Sequence, residues 1–150
     1  LLNTLYVNRP VINGKQFYDW AKSQGFTNIL DPNDLHVTIA YSKKELDWSK
    51  LNPLKNNIRI TGGKREIKPL GNEGAVVLKF ESKILTNRWK QILDAGASWD
   101  WESYQPHITI TYNGSKLNLN KIEPYDQVIE LGPEKFDKLD ENWKSKLKKD

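Results

Sequence analysis

The sequence predicts an α+β fold of two lobes related by a pseudo-twofold axis, with mostly antiparallel sheets, helices on the outside and a central groove. Three observations carry this. Two hexapeptides nearly repeat each other: His36-Val37-Thr38-Ile39-Ala40-Tyr41 and His107-Ile108-Thr109-Ile110-Thr111-Tyr112. Each closes a stretch of strand–helix–strand character, with Tyr6 lying 30 residues before His36 and Leu78 lying 29 before His107. A unit repeated in this way implies two lobes that bury their apolar sides together. No linker rich in Gly, Ser or Pro separates the halves, so residues 1–150 are expected to form a single domain.

The elements follow in order. Leu2 to Asn8 reads as a first strand. Asn13 to Gly25 is a helix, because Phe17, Trp20 and Ala21 recur at helical spacing and Gly25 suits its C-terminal cap. Asp31-Pro32-Asn33-Asp34 turns the chain into the first histidine hexapeptide, which is β-branched and aromatic and so reads as a strand. Asn57 to Ile67 is a hairpin or a long bent strand broken at Gly62-Gly63. Ala75 to Glu81 is a strand. Ser82 to Gly96 is a second helix, with Ile84, Leu85, Trp89, Ile92 and Leu93 on one stripe. Pro106 stands at the start of the second histidine strand, where a missing N–H is tolerated. Gln127 to Leu131 is a further strand. Gly132-Pro133 then turns into a charged segment that ends in a helix from Asp140.

Composition narrows the function. A chain of 150 residues, 37% hydrophobic and 11% aromatic, can build one well-cored domain. Six Trp and six Tyr exceed what that core needs, so some are expected to face a ligand. With no cysteine there is no disulfide and no thiolate metal site, which fits a reducing compartment. No apolar run approaches the ~20 residues that span a bilayer, so no membrane partner is expected. The chain starts at Leu1 and has no methionine, as a piece of a longer protein would. A net charge of +4 favours anionic partners, but mildly, since much of the excess lies in Lys144, Lys146, Lys148 and Lys149.

The two histidines are the chain's whole complement, and each heads a repeat. Side chains alternate along a strand, which puts His36, Thr38 and Ala40 on one face and Val37, Ile39 and Tyr41 on the other. The second copy splits alike, with His107, Thr109 and Thr111 opposite Ile108, Ile110 and Tyr112. Two such strands facing each other would gather two imidazoles and two hydroxyls, a set suited to a phosphodiester. One neutral and one protonated imidazole can take a proton from a nucleophile and give one to a leaving oxygen. Thr38 and Thr109 would donate to the non-bridging oxygens as charge builds. Tyr41 and Tyr112 are expected in the core. Trp48, Trp99 and Trp101 suit base stacking or a rim equally. Gly62-Gly63 beside Lys64 and Arg65 reads as a turn more simply than as a phosphate cradle. A zinc site would have to recruit carboxylates, and no local spacing offers them.

Two His-x-Thr tripeptides on strands about 70 residues apart resemble the 2H phosphoesterase superfamily, whose fold is bilobal and duplicated. Within it the chain is most similar to the phage anti-CBASS phosphodiesterases. The matching residues are Tyr6, Leu35-His36-x-Thr38-x-x-Tyr41-Ser42, Pro106-His107-x-Thr109, Gly132-Pro133-Glu134 and Glu141-Asn142-Trp143. The resemblance implies a metal-independent and cofactor-free enzyme that cleaves 3′–5′ bonds of the cyclic di- and trinucleotide messengers of CBASS immunity. It implies His36, Thr38, His107 and Thr109 as catalytic residues and Tyr6, Glu134 and Trp143 as substrate-binding ones. It further implies a small cyclic oligonucleotide as partner in place of long nucleic acid, action in the host cytoplasm, and fusion to a phage structural protein. Two other functions stay open: a 2H enzyme acting on 2′,3′-cyclic phosphates or RNA ends, and a non-catalytic nucleotide-binding module. Two complete motifs argue against the module.

Overall fold

The structure, a computed structural model, describes residues 1–114 and 116–140. The first lobe is built on β1 (Leu2–Pro10), α1 (Gly14–Ser23) and β2 (His36–Asp47). After a three-residue strand, β3 (Ile58–Ile60), come β4 (Arg65–Leu70), β5 (Ala75–Phe80), α2 (Lys83–Asp94) and β6 (His107–Thr111). Two short strands, β7 (Ile129–Leu131) and β8 (Lys135–Asp137), complete the described chain. They form three antiparallel sheets with strand orders β2-β1-β8, β3-β7 and β4-β5-β6. In each large lobe the histidine strand pairs with the strand that opens its own repeat, as the duplication predicts.

Local rules account for most elements. In β1, Leu5, Val7 and Arg9 are buried while Tyr6 and Asn8 are half-buried on the other face. Arg9 continues an apolar row inward; its Nη1 donates to the carbonyls of Asn56 at 2.6 Å and Gly132 at 2.8 Å. Helix α1 turns Phe17 and Ala21 into the core and ends as expected, with Gly25 at φ +95° just past it. Gly14 is required at its start, because a Cβ there would sit 2.4 Å from the Pro32 carbonyl oxygen. Ser82 caps α2, accepting the Leu85 N–H at 3.2 Å.

Three expectations need correction. The Asn57–Ile67 stretch is not a hairpin but two strands broken at Gly62-Gly63, the other reading offered for it. Strand β3 pairs with β7 and β4 with β5, so the break passes the chain between sheets. On α2 the inward stripe holds Leu85, Arg88 and Ile92, while Ile84 is exposed. An apolar pattern cannot reveal that a buried arginine replaces one of its members. The segment after Gly132 forms strand β8, paired antiparallel with β1. The helix expected from Asp140 lies, beyond Asp140 itself, outside the described residues.

The lobes interlock through their helix-to-strand loops. After α1, Leu30 N–H donates to the Ile110 carbonyl of β6 at 2.9 Å. After α2, Ser98 N–H donates to Ser42 Oγ of β2 at 2.9 Å. One continuous core, running from Leu5 and Val7 through Ile39 and Leu85 to Ile108 and Leu131, results. It sets β2 and β6 side by side, with Cα traces approaching within 8 Å.

Candidate active site

The predicted alternation holds for four residues of each hexapeptide and then breaks at the same place in both. Val7 pairs with Ala40 and Asn8 with Thr38, so Ile39 is an extra residue on β2. Val76 pairs with Thr111 and Val77 with Thr109, which makes Ile110 the extra residue on β6. Such a bulge directs two successive side chains to one side. Ile39 with Ala40, and Ile110 with Thr111, are accordingly all buried. The sixth position then swings to the histidine side. Tyr41 and Tyr112, expected in the core, are half-buried there, and Ala40 and Thr111, expected beside the histidines, are inside.

His36 and His107 are held alike. His36 Nδ1 lies 2.7 Å from the carbonyl of Asp34, and His107 Nδ1 lies 2.8 Å from that of Gln105. A carbonyl oxygen only accepts, so each Nδ1 carries the proton and Nε2 is left for a ligand. In both copies the acceptor lies two residues back, in the loop entering the strand. Burial pushes the His107 pKa below the ordinary value of 6.5; the Gln105 hydrogen bond opposes this, and repulsion from His36 adds to it. The two imidazoles therefore lie within electrostatic reach of each other.

Both motif threonines meet a tyrosine hydroxyl. Tyr6, on β1 beside β2, shares a 3.1 Å hydrogen bond with Thr38 Oγ1. Tyr112 bonds Thr109. Burial raises the pKa of both phenols, which keeps them protonated and able to donate; Tyr6 is also raised by its proximity to Tyr112. Tyr104, whose pKa burial likewise raises, donates to the main-chain carbonyl of Thr38 at 2.8 Å from the loop before β6. Sequence reasoning missed Tyr104 altogether and placed Tyr112 in the core. The only available signal for Tyr112 was that both repeats carry the same residue at their sixth position.

The structure thus brings together His36, Thr38, His107, Thr109 and Tyr6. It does not bring Glu134 to them. The Glu134 side chain is 0% exposed and bidentate with Arg88, whose Nε and Nη2 each donate at 2.9 Å. Leu54 N–H supplies a third bond at 2.9 Å. This carboxylate lines a cavity of about 350 Å³ together with Arg9, Leu54, Ile58 and Arg88, on the face of β1 turned away from Tyr6. Glu134 is thus held by Arg88 and Leu54 apart from the two histidines. Trp143 lies outside the described residues.

Comparison with known proteins agrees with this architecture. The family model described as anti-CBASS protein Acb1 matches residues 3–146. A protein of that name from Sphingomonas paeninsulae is 46% identical over 147 residues, covering 93% of this chain and 24% of that protein. The namesake from Escherichia phage RB16 is 32% identical over 92 residues, covering 61% of this chain and 52% of its own. The chain spans about a quarter of the length of the Sphingomonas relative and of a Caulobacter one. Among solved structures, a phosphoesterase superposes with a TM-score of 0.64 at 13% identity, covering 91% of this chain and 87% of that one. Escherichia coli LigT complexed with 3′-AMP superposes with a TM-score of 0.57 at 13% identity, covering 93% and 97%.

Proposed function

The chain belongs to the anti-CBASS Acb1 family and has a LigT-like 2H phosphoesterase fold, and from that premise we propose that it is a phosphodiesterase opening cyclic di- and trinucleotides. The reading rests above all on the matched histidines, each with Nδ1 tied to a carbonyl two residues back and each followed by a threonine on its own face. Proton transfer at two points, not binding, is what such a pair is built for. The 3′-AMP bound by LigT supports a nucleotide ligand. His107, held neutral by its surroundings, takes the proton from the nucleophile, a ribose 2′-hydroxyl or water. His36 protonates the leaving 5′-oxygen. Thr38 and Thr109 donate to the non-bridging oxygens, and Tyr6 and Tyr112 orient those hydroxyls. No step calls for a metal or cofactor. Trp143 is proposed to cover the nucleotide from the C-terminal side, while Glu134 contributes by fixing the entry to β8. Mass spectrometry of products from a panel of cyclic dinucleotides, cyclic trinucleotides and 2′,3′-cyclic nucleotides tests the reading against the RNA-end alternative.

Two expected results follow from this chemistry. Thr38→Val and Thr109→Val keep strand propensity and volume but remove the donor, so kcat is expected to fall while KM holds. A loss confined to KM would mean the hydroxyls bind substrate and transition state equally. The pH profile of kcat/KM is expected to be bell-shaped, with limbs that belong to the pair. Its acid limb should lie below pH 6.5, since burial favours neutral His107. The same shift has a stability counterpart. The folded chain binds fewer protons than the unfolded one below pH 6.5, so stability falls as pH drops through that value. A flat activity profile from pH 5 to 9 would contradict the assignment.

A further inference from the structure

Of the tryptophans among the described residues, Trp101 alone is exposed, at 58%, while Trp20, Trp48, Trp89 and Trp99 are half-buried. An open indole usually means a mobile or incidental surface position. Here its loop is tied down on every side. Ser98 bonds Ser42, Lys43 Nζ pairs with Asp100 Oδ2 at 3.0 Å, Trp99 Nε1 donates to the Ser103 carbonyl at 3.2 Å, and Tyr104 reaches Thr38. The indole is thus held in place with part of its surface uncovered.

Its neighbours lead to the motif threonine. Trp101 lies 5.8 Å from Tyr41 between ring centroids, and Tyr41 lies 6.2 Å from Tyr6, whose hydroxyl meets Thr38. Trp99 also packs against the indole, with ring centroids 4.9 Å apart. The interplanar angles to Tyr41 and Trp99 are 61° and 66°, so neither ring stacks flat on Trp101. An aromatic series therefore begins at the hydroxyl proposed to hold the phosphate and ends, two rings away, on an open indole. The bulge at Ile39 makes this series, because without it Tyr41 would point into the core.

We propose that Trp101, backed by Tyr41, is the stacking platform for a nucleobase of the substrate whose phosphodiester lies between the histidines. Stacking on an aromatic face tolerates any base, so the platform fixes where a base lies without selecting which base it is. The inference rests on the phosphodiesterase reading and adds to it a base subsite on the loop before β6.

The test is steady-state kinetics on whichever cyclic dinucleotide the unmodified chain opens fastest. Trp101→Ala is expected to raise KM at least tenfold with kcat within twofold, and Trp101→Phe to recover most of the loss. The melting temperature should not move, since the indole is mostly exposed. His36→Ala is run in the same assay. A Trp101→Ala enzyme with unchanged KM, beside a dead His36→Ala, would overturn the platform and leave the phosphodiesterase reading standing. A Trp101→Ala loss accompanied by a lower melting temperature and no recovery by phenylalanine would make the residue structural and overturn the platform too. If the unmodified chain opened no cyclic dinucleotide or trinucleotide, both would fall together.

Discussion

Replacing either His36 or His107 with alanine is expected to lower kcat/KM by ~10²–10⁴-fold, the usual contribution of a general acid or base. Each removes one of the two proton carriers, and nothing among the described residues can stand in for it. The fold should survive. Both side chains are half-buried, and each loses one hydrogen bond to a loop carbonyl, worth about 0.5–1.5 kcal/mol net. Circular dichroism and thermal melts on the same preparations separate lost chemistry from lost structure. Near-normal turnover by either variant would contradict the paired mechanism.

The largest expected effect on stability lies elsewhere, at the ion pair between Arg88 and Glu134. Both side chains are buried, and the guanidinium also donates to the Asn52 carbonyl and to Gln91 Oε1, each at 2.9 Å. Removing Arg88 leaves Glu134 with only the more distant Arg9 as a counter-charge, and removing Glu134 leaves two buried cations, Arg9 and Arg88, repelling each other. Arg88→Ala or Glu134→Ala is therefore expected to cost ~3–5 kcal/mol, seen as a fall in melting temperature of roughly 6–20 °C for a chain of this size. Replacing both with apolar residues of similar volume, Arg88→Met with Glu134→Leu, should restore part of that stability, since the buried Arg9 keeps its two carbonyl partners but loses its counter-charge. The double variant also decides what Glu134 does. If it only anchors the turn into β8, the double variant turns over normally. If it contacts the nucleotide, KM rises even though the fold is recovered.

The contrast between these residues shows what could be read from the sequence. The duplicated His-x-Thr repeats fixed the lobes, the strand that each histidine heads and the face it shares with its threonine, because period-two alternation is a local property of a strand. Tyr41 and Tyr112 were misplaced because alternation fails at a bulge. A bulge arises from how two strands pair, and no residue within the hexapeptide announces it. Arg88 and Glu134 lie 46 residues apart, and neither announces the other as its partner. Only the packing of α2 against the segment before β8 turns them into a buried pair. Strand β8 was missed for a related reason: Lys135-Phe136-Asp137 has a single apolar residue, and what makes it a strand is the edge of β1 that it covers.

In the proposed chemistry two imidazoles, with Thr38 and Thr109, open a cyclic phosphodiester without a metal. Incubation of the purified chain with cyclic dinucleotides and trinucleotides in excess EDTA, with products resolved by mass spectrometry, tests it most directly. The expected products are linear oligonucleotides ending in a phosphate or a 2′,3′-cyclic phosphate, formed at the same rate with and without chelator and at least ~10²-fold more slowly with His36→Ala or His107→Ala. Intact rings after prolonged incubation, or turnover abolished by EDTA and restored by a divalent cation, would contradict it.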